Sequence, residues 1–525
     1  MFSPPLYVVR KFPLKFLIDR NFDVQFSNDD EERQYHINQQ DNMLFRQIRA
    51  ITKDKSKFNK YIVFVDCKGG KSYQDELKEL VIHGFDVGDQ HFEYSERSAS
   101  MVRTSILSFV DSSIAKTLDE IVTMGITFEK TVLSKYYAYR GLMLSSCHCL
   151  EDWRPKIIVV PDYYKVIPQQ RIKYAYDNET EFTDKNGKKR KWKQKDIKEG
   201  IKDIEINVFD GCGICHPALM QEIRDQLGVT DGLTSAIIRA PYIKGVIHEM
   251  DYTTFFAERG VTEVIDLWGQ KHSVAPNAEP MIIMTESMYK GYKYFKNHGD
   301  VRDWYFYWEM FEKYQHCIGI AKWNYSVDEE PLYTRGNYQI LQDLDLPYTQ
   351  FAKLAKDSIQ WIQNVIDEDI FSTYCFLGLM YDSHETTDPY VKAVLKNPEM
   401  LKEYGVRNHV ISLIQKKINE MKCGKLLLRS SFKFLAPDLI MLMEHIGGLD
   451  PVGCLKYDEF YGFDAEGVYE GERLIERNPH ICKSEHVILK GVRNELTDKY
   501  CSRLANVCMV NGYSLTPQRL NGADL

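Results

Sequence analysis

The order of the hydrophobic patterns along the chain restricts the folds that are open to it. From Ile204 to His248, short strand-like runs, glycines and one helical run alternate. Helical periodicity rich in aromatic residues dominates from about Glu286 to Met421, and short strand-like runs return after Leu426. Strands and helices segregated in this way predict an α+β fold, in which two similar β modules are separated by helices.

The region ahead of the first β module mixes both kinds of element. The apolar run from Tyr61 to Asp66 predicts a buried strand, and a glycine-rich turn after it leads into a helical pattern that ends near His83. A phosphate-binding P-loop needs a glycine five positions before Gly70, where this chain has Val65. We therefore reject a P-loop.

A polar insertion from Asp177 to Lys198 interrupts the first β module. Asn186-Gly187 stands at its centre between two strand-like arms, which predicts a hairpin. The tip is the most basic run of the chain and is a candidate for contact with a nucleic-acid backbone. The candidate residues are Lys188, Lys189, Arg190, Lys191 and Trp192. A solvated surface hairpin is the alternative interpretation.

The overall charge argues against a dedicated binder of double-stranded DNA. The 525 residues carry a formal net charge of −8, with a pI of about 6.0, whereas such binders are more often basic. A nucleic acid can still bind in a channel where Lys and Arg are concentrated locally. Hydrophobic residues make up 44% and charged residues 27%, which predicts a folded chain with a large core.

The cysteine pattern and the apolar runs indicate an intracellular protein. The 12 cysteines follow no disulfide framework, so reduced thiols are expected. Cys147-His-Cys149 and Cys212-Gly-Ile-Cys215 lack a partner pair at zinc-finger distance, which disfavours structural zinc. There is no signal-peptide pattern, and no apolar run reaches the roughly 18 residues of a membrane span. We expect a soluble cytoplasmic protein with no membrane partner.

Four segments, each weak alone, occur in one order between Ser98 and Pro479. They are Ser98-Ala-Ser-Met-Val-Arg103 with Phe109 and Ala138-Tyr-Arg140-Gly141-Leu142; Phe209-Asp210-Gly211-Cys-Gly213-Ile214 with Ile238-Arg239 and Tyr242-Ile-Lys244-Gly245-Val246; Asn337-Tyr338-Gln339 with Leu341; and Phe432-Lys-Phe-Leu435 with Glu466-Gly467-Val468-Tyr469 and Arg477-Asn478-Pro479. Together they resemble the single-chain two-barrel RNA polymerases. This family includes the eukaryotic RNA-silencing RNA-dependent RNA polymerases and related phage and bacterial RNA polymerases.

The chain departs from the pattern of this family at two places. Tyr338 stands where the family has Arg, and Cys482-Lys-Ser-Glu485 replaces the family's His-Pro-Gly-Asp. The family's hallmark, Asp-x-Asp-Gly-Asp, would follow, and Gly522-Ala523-Asp524-Leu525 resembles its lead-in and first two residues. We therefore expect a chain truncated inside this motif, with the second and third aspartates missing.

The resemblance implies Mg²⁺-dependent, template-directed addition of nucleoside triphosphates to an RNA 3′ end. In such nucleotidyl transfer, magnesium ions clamp the attacking and leaving oxygens. Asp524 would be the first of three carboxylates that hold the metal. Lys244 would act as the catalytic cation at the triphosphate, together with Arg239. Strict alternation would put these two on opposite faces of a strand, so we expect a turn or bulge between them, at Pro241.

Three further cations are second-rank candidates for phosphate contact. They are Lys433, Arg473 and Arg477, and for each of them a structural ion pair is an equal alternative. Asp210 is expected to cap a turn rather than to act in catalysis, because its side chain can bond its own backbone two residues on.

The resemblance also implies a domain organisation. We expect a mixed α/β region at 1–153, a first double-psi β-barrel at 154–270 with the hairpin insertion 177–198, a helical connector at 271–425, and an incomplete second double-psi β-barrel at 426–525. The expected partners are an RNA or DNA template, nascent RNA and nucleoside triphosphates. The sequence decides neither the template class nor the oligomeric state, and a phage- or prophage-encoded origin in a bacterial host fits the resemblance.

Two other functions stay open. A non-catalytic or split member of the same fold would keep both β modules, and the missing aspartates favour it. A nucleic-acid-binding protein built on unrelated α+β domains would have no barrel at 200–250 and no symmetry with 426–525. In either case, and in the truncated polymerase, the 525-residue chain itself is expected to be inactive.

Overall fold

The computed structural model of the chain describes residues 5–126, 132–185, 187–229, 232–295, 303–324, 326–342, 344–378, 388–477, 480 and 483–520. Several positions from the sequence analysis lie outside these residues. They are Asn186, Asn478, Pro479, Cys482 and the whole of 521–525, which includes Asp524. Among the described helices, none combines the length and the apolar character that crossing a membrane requires.

The N-terminal region forms a seven-stranded mixed sheet flanked by helices. Its strands are β1 (Leu6–Pro13), β2 (Asp23–Val24), β3 (His36–Gln40), β4 (Phe58–Asp66), β5 (Phe85–Val87), β6 (Gln90–Tyr94) and β7 (Ile106–Asp111), in the order β2-β5-β6-β7-β4-β1-β3. Its helices are α1 (Leu14–Ile18), α2 (Asp29–Arg33), α3 (Met43–Thr52), α4 (Gln74–His83), α5 (Ala99–Thr104), α6 (Ser112–Val122) and α7 (Leu133–Arg140).

The apolar run of β4 is explained by burial on both faces of this sheet. Ile62 and Phe64 pack into one hydrophobic cluster, while Val63 and Val65 pack into another. A strand covered on both sides needs apolar residues at every position, not at alternate ones. The predicted strand and the helix ending at His83 are both confirmed.

The first β module is a seven-stranded sheet with the order β8-β18-β13-β14-β12-β17-β9. The strands of this part of the chain are β8 (His148–Cys149), β9 (Lys156–Val160), β10 (Tyr164–Thr183), β11 (Lys189–Asn207), β12 (Cys212–Cys215), β13 (Ser235–Ala240), β14 (Ile243–Glu249), β15 (Glu263–Ile265), β16 (Lys271–Ser273), β17 (Met281–Thr285) and β18 (Gly319–Trp323). The accompanying helices are α8 (Pro217–Leu227), α9 (Tyr252–Glu258), α10 (Tyr292–Phe295) and α11 (Asp303–Lys313).

Strands β10 and β11 form a separate two-stranded hairpin, as the Asn-Gly signal predicts. The hairpin runs from Tyr164 to Asn207 and is longer than the predicted insertion, which began at Asp177 and ended at Lys198. Its outer part is exposed to solvent on both faces, and its inner part continues the same pairing towards the module. The polarity of the sequence therefore predicted only the outer half of the hairpin.

The connector is mainly helical. Its helices are α12 (Tyr338–Gln342), α13 (Tyr348–Ile366), α14 (Ile370–Leu377), α15 (Pro389–Lys396) and α16 (Tyr404–Lys422), and the short strands β19 (Thr334–Arg335) and β20 (Leu427–Leu428) pair at its two ends.

The second β module has five strands in the order β21-β27-β22-β26-β25. The elements of this region are β21 (Phe434–Pro437), β22 (Glu459–Tyr461), β23 (Phe463–Asp464), β24 (Gly467–Val468), β25 (Gly471–Ile475), β26 (Val487–Gly491) and β27 (Val507–Val510), with α17 (Leu439–Ile446) and α18 (Thr516–Arg519). Four adjacent strands, β21-β27-β22-β26, pair parallel, antiparallel and parallel. In the first module, β14-β12-β17-β9 repeat this pattern of pairing.

The two modules share one hydrophobic core. Cys212 and Ile214 of the first module lie in the same buried cluster as Ala436 and Met509 of the second. At its edge, the Gly512 backbone packs so closely on Val208 that an added Cβ would lie 2.7 Å from a methyl of that valine. The fold is therefore α+β, as predicted, and the two modules are directly in contact.

Candidate functional site

Arg239 and Lys244 lie side by side on neighbouring strands. Strand β13 ends at Ala240 and β14 begins at Ile243, so the chain reverses at Pro241 and Tyr242. The antiparallel register pairs Arg239 directly with Lys244. Partners in such a register point to the same face of a sheet, which resolves the conflict with strict alternation. The predicted turn at Pro241 is confirmed.

The face that carries these two cations is turned towards the second module. Val246 and His248 share the face of Lys244, and their register partners on β12 are Cys212 and Ile214. Those two side chains pack into the cluster shared by both modules. Residues on the opposite face, such as Ile243 and Ile247, belong to a different cluster. The cationic pair therefore lies on the side of the sheet where the modules meet.

The electrostatic environment of Arg239 favours an anionic ligand. Its guanidinium donates a hydrogen bond to the carbonyl oxygen of Ile238 at 2.8 Å, and within the described residues it forms no ion pair with a carboxylate. Burial lowers the pKa of Arg239 to about 10. A largely buried cation is stabilised when an anion approaches it, because desolvation disfavours its charged form.

Lys322 of β18 is a third cation on this face, and it was not predicted from the sequence. A register shift between Ile237 and Ile238 pairs Ile237 with Lys322, on the same face as Arg239. The Lys322 ammonium lies 5.9 Å from the ring centre of Phe434, which belongs to the second module. No sequence signal could have assigned this role, because it depends on a bulge between strands about 80 residues apart.

Gly245 and the turn before β12 are in close contact. A Cβ at Gly245 would lie 2.5 Å from the carbonyl oxygen of Gly211, which also accepts a hydrogen bond from the Val246 N–H at 2.9 Å. Gly211 has φ +78°, a left-handed conformation that favours glycine. The backbone at Gly245 therefore closely approaches a turn of the same module.

The turn that contains Asp210 is fixed from elsewhere in the chain. The Thr285 hydroxyl donates to the carbonyl oxygen of Cys212 at 2.9 Å, and the Ser287 hydroxyl accepts from the Gly211 N–H at 2.9 Å. Asp162 accepts from the Ser287 N–H at 2.9 Å. The tight turn predicted around Asp210 is present, but these supporting residues come from the ends of other strands and were not predicted.

The second-rank cations lie around a different cavity. A cavity of about 1010 Å³ between the connector and the second module is lined by Lys433, Arg473 and Arg477. Arg473 pairs in register with Leu489, whose side chain packs on the sheet face opposite the shared core. Arg473 thus points away from the first module, and the cavity is lined by neither Arg239 nor Lys244.

The charges around this cavity are balanced. Its five cations face five carboxylates, namely Arg335, Arg429, Lys433, Arg473 and Arg477 against Glu330, Asp464, Glu466, Glu470 and Glu476. The Lys433 ammonium is buried in an ion pair with Glu330 at 2.6 Å. Lys433 therefore forms a structural ion pair, which was the alternative prediction for this residue. The Arg477 guanidinium donates to the carbonyl oxygen of Leu520 at 3.3 Å.

The five candidate residues at the hairpin tip do not form one surface. By register, Lys189 and Lys191 lie on one face of the hairpin, whereas Arg190 and Trp192 lie on the other. Arg190 pairs with Asp184 at 2.7 Å, and Lys191 lies 3.5 Å from Glu179. Acidic side chains of the neighbouring strand and of the turn after it therefore offset part of the tip's positive charge.

The expected magnesium site cannot be built from the described residues. Across those ranges, no three His, Cys, Asp or Glu side chains converge as metal ligands. Asp524 lies outside them. The described part of the chain therefore supplies the cationic face but no ligand set that fits magnesium.

Arg140 and Gly141, from the first of the four segments, have structural contacts. The Arg140 guanidinium donates to the buried Glu96 carboxylate at 2.7 Å. A Cβ at Gly141 would overlap the carbonyl oxygen of Arg97, at 2.0 Å. Ser98 accepts from the Met101 N–H at 3.3 Å and caps α5. This segment joins the N-terminal sheet to the first module.

Comparison with known proteins agrees with these observations. The family model described as RNA dependent RNA polymerase matches residues 7–498. The chain belongs to this RNA-dependent RNA polymerase family. The resemblance carried by the four segments is therefore confirmed.

Two relatives of this polymerase family member bear different descriptions. The DNA-directed RNA polymerase YonO of Bacillus phage SPbeta is 25% identical over 436 residues, which make up 81% of this chain and 46% of that protein. The RNA dependent RNA polymerase QDE-1 from Thielavia terrestris aligns with 100% of this chain and 52% of its own, with a TM-score of 0.55 and 12% identity, and so shares the fold. The chain spans about half the length of each.

Proposed function

We propose that this chain forms part of a template-directed RNA polymerase, with its nucleotidyl-transfer site between two double-psi β-barrels that correspond to the two β modules. The observation that carries the proposal is the paired Arg239 and Lys244 on the sheet face that is turned towards the second module. A nucleoside triphosphate is a compact polyanion. Neighbouring cations beside a water-excluding core can hold it more strongly than isolated surface charges.

Within this site, Lys244 binds the triphosphate as a mobile charge, and Arg239 adds a fork of N–H donors suited to phosphate oxygens. Lys322 lies on the same face and extends the cationic surface towards Phe434. Lys433, Arg473 and Arg477 are assigned to the stability of the second module, because they surround a charge-balanced cavity on its other face.

Asp524 is the proposed first magnesium ligand. When bound between several carboxylates, magnesium would stabilise the charge that develops on the transferring phosphate. One carboxylate does not make such a site, since magnesium demands near-octahedral oxygen ligation. The 525-residue chain alone is therefore expected to make no RNA. YonO is described as DNA-directed and QDE-1 as RNA dependent, so the template is proposed as a nucleic acid of either class.

Binding of a nucleoside triphosphate tests the cationic site directly. We expect Lys244→Ala and Arg239→Ala each to weaken ATP binding about 10- to 100-fold, since a hydrogen bond to a charged group contributes about 1.5–3 kcal/mol. The measurement is equilibrium binding of labelled ATP to the purified chain in the presence of Mg²⁺.

Two variants serve as matched controls for this experiment. Lys271→Ala removes an exposed strand lysine that pairs with Glu263 at 3.0 Å, and Arg473→Ala removes a cation beside the second cavity. Both should bind ATP as the unmodified chain does. If Arg473→Ala binds ATP more weakly than Lys244→Ala does, the phosphate site lies at the cavity and the proposal is overturned.

RNA synthesis separates a polymerase from a non-catalytic member of the family. The chain joined to a downstream segment that contains Asp-Gly-Asp should extend an RNA primer on RNA or DNA template with Mg²⁺, and Asp524→Ala should abolish that activity. Synthesis by the 525-residue chain alone would contradict the role of Asp524. No synthesis after the carboxylates are supplied would favour the non-catalytic alternative.

A further inference from the structure

The hairpin of β10 and β11 has two chemically different faces. It forms a sheet of its own, and over most of its length both faces are open to solvent. A two-stranded sheet buries little apolar surface, so its side chains need not be hydrophobic for stability. The distribution of aromatic residues on it therefore requires another explanation.

One face collects the large aromatic side chains. The register pairs Tyr174 with Lys198, Thr180 with Trp192 and Phe182 with Arg190. Positions an even number apart on one strand share a face, so Tyr176 lies on the same side. We call this the aromatic face; its rings are those of Tyr174, Tyr176, Phe182 and Trp192. Trp192 is 59% exposed and Phe182 44% exposed, so the outer rings are accessible.

Cations accompany these rings. The Lys202 ammonium lies 3.6 Å from the ring centre of Tyr174, and the Lys198 ammonium lies 4.6 Å from that of Tyr176. Lys202 pairs in register with Gln170, on the same face. The only carboxylate among the register partners from Tyr174 to Phe182 on this face is Asp196, opposite Tyr176. The aromatic face thus alternates flat rings with positive charge.

The opposite face is organised by ion pairs. Asp177 pairs with Lys195 at 2.5 Å, and Glu179 pairs with Lys193 at 2.8 Å. Further along, Arg171 pairs with Glu199. These cross-strand pairs neutralise much of the charge of that face. Over Tyr164–Asn207 the hairpin carries 12 Lys and Arg against 8 Asp and Glu, so it is positively charged overall. On the aromatic face, Arg190, Lys198 and Lys202 share a face with one carboxylate, that of Asp196.

We propose that the aromatic face binds single-stranded RNA, with bases stacked on the rings of Tyr174, Tyr176, Phe182 and Trp192 and phosphates held by Lys198 and Lys202. Aromatic platforms interleaved with cations bind single strands without regard to sequence, because every base offers a flat π-face. A duplex keeps its bases stacked on each other and presents mainly phosphates to such a surface.

The length of the face sets the size of the site. Tyr174 and Phe182 are eight residues apart on one strand, which at about 3.4 Å per residue separates them by roughly 27 Å. At the spacing of about 3.4 Å per nucleotide of a stacked strand, this length corresponds to about eight nucleotides. Under this proposal the residues of the basic tip have different roles. Arg190 and Trp192 lie on the aromatic face, whereas Lys189 and Lys191 lie on the opposite face and contribute only through their charge.

Fluorescence anisotropy with a labelled 12-nucleotide single-stranded RNA tests this proposal, without nucleotide and in EDTA, so that failure of the proposed catalytic function does not affect the result. The variant Tyr174→Ala/Tyr176→Ala/Trp192→Ala should bind at least tenfold more weakly, since removal of one stacked base–ring contact alone lowers affinity roughly five- to hundredfold. Its affinity for a duplex of the same sequence should change less than twofold.

The matched control is Ile197→Ala/Ile201→Ala, which removes two exposed apolar side chains from the opposite face of the same strand. Ile197 and Ile201 are 71% and 63% exposed, and they pair in register with Ala175 and Arg171. This control should bind the RNA within twofold of the unmodified chain. Equal weakening in both variants would mean that the hairpin had merely been destabilised, and would overturn the proposal.

Salt dependence separates the rings from the lysines. Lys198→Ala/Lys202→Ala should reduce the slope of log K against log salt by about 1.4, because each phosphate contact to a single strand contributes about 0.7. Trp192→Ala should weaken binding and leave this slope unchanged. If the triple aromatic variant binds single-stranded RNA as well as the unmodified chain, the face serves another partner, such as a protein, and the proposal is wrong.

Discussion

Glu249 links the two β modules through one carboxylate, and its removal should weaken the fold markedly. One of its oxygens accepts from the Arg224 guanidinium at 2.6 Å, and the other accepts from Arg503 at 2.7 Å. Glu249 and Arg224 are 4% and 3% exposed, whereas Arg503 is 57% exposed. Glu249→Ala would leave the Arg224 charge buried without its carboxylate.

The magnitude follows from the difference in burial between the two pairs. Breaking a buried ion pair by removing one partner lowers the free energy of unfolding by about 3–5 kcal/mol. The pair with exposed Arg503 contributes about 0–1 kcal/mol, since solvent screens it. We therefore expect Glu249→Ala to destabilise the protein several times more than Arg503→Ala. With a urea slope of about 3 kcal/mol/M, the midpoint for Glu249→Ala falls by roughly 1–1.7 M.

Urea unfolding followed by circular dichroism measures these differences, with Arg503→Ala as the matched single variant. The double variant Arg224→Met/Glu249→Leu supplies the decisive comparison. Replacing a buried ion pair by apolar side chains of similar volume is often close to neutral, so this variant should be more stable than Glu249→Ala. A double variant as unstable as the sum of its single changes, or a Glu249→Ala midpoint no lower than that of Arg503→Ala, would refute the reasoning.

Two further predictions concern the cationic face. Gly245→Ala should lower the free energy of unfolding by about 1–3 kcal/mol, because its methyl would lie 2.5 Å from the Gly211 oxygen; urea midpoints measure this, with Gly70→Ala, whose nearest neighbour would be at 3.8 Å, as control. Burial lowers the pKa of His248 to about 3. As the pH falls, His248 is therefore protonated in the unfolded chain before it is protonated in the folded chain. The free energy of unfolding should fall by about 1.4 kcal/mol per pH unit as the pH drops from about 6.5 towards 3. His248→Gln should remove that part of the slope, and an unchanged slope would contradict the assignment.

Structural features that depend on a few neighbouring residues were predicted correctly from the sequence. Asn186-Gly187 predicted a hairpin, and Pro241 predicted the reversal between Arg239 and Lys244, because turn residues restrict φ locally. The continuous apolar run of β4 predicted a buried strand for the same kind of reason. These features depend on a residue and its immediate neighbours, so they can be predicted without knowledge of the fold.

The assignment of the second-rank cations shows where local signals stop. Lys433, Arg473 and Arg477 are cations like Lys244, yet they surround a separate cavity with balanced charge. Glu330, which neutralises Lys433, lies about 100 residues away in sequence. The alternation of side chains along a strand shows which of them share a face. It does not show which part of the protein packs against that face.

The sequence by itself determined the family, the α+β class, the order of the modules and the turn between Arg239 and Lys244, since these follow from motifs in order and from local backbone preferences. Only the tertiary structure decided that this pair faces the second module, that Lys322 joins it through a bulge, and that the hairpin separates its rings from its ion pairs. The physical reason is that side-chain neighbours across strands are set by register and packing between distant segments, and neither is encoded in the spacing of residues along one segment.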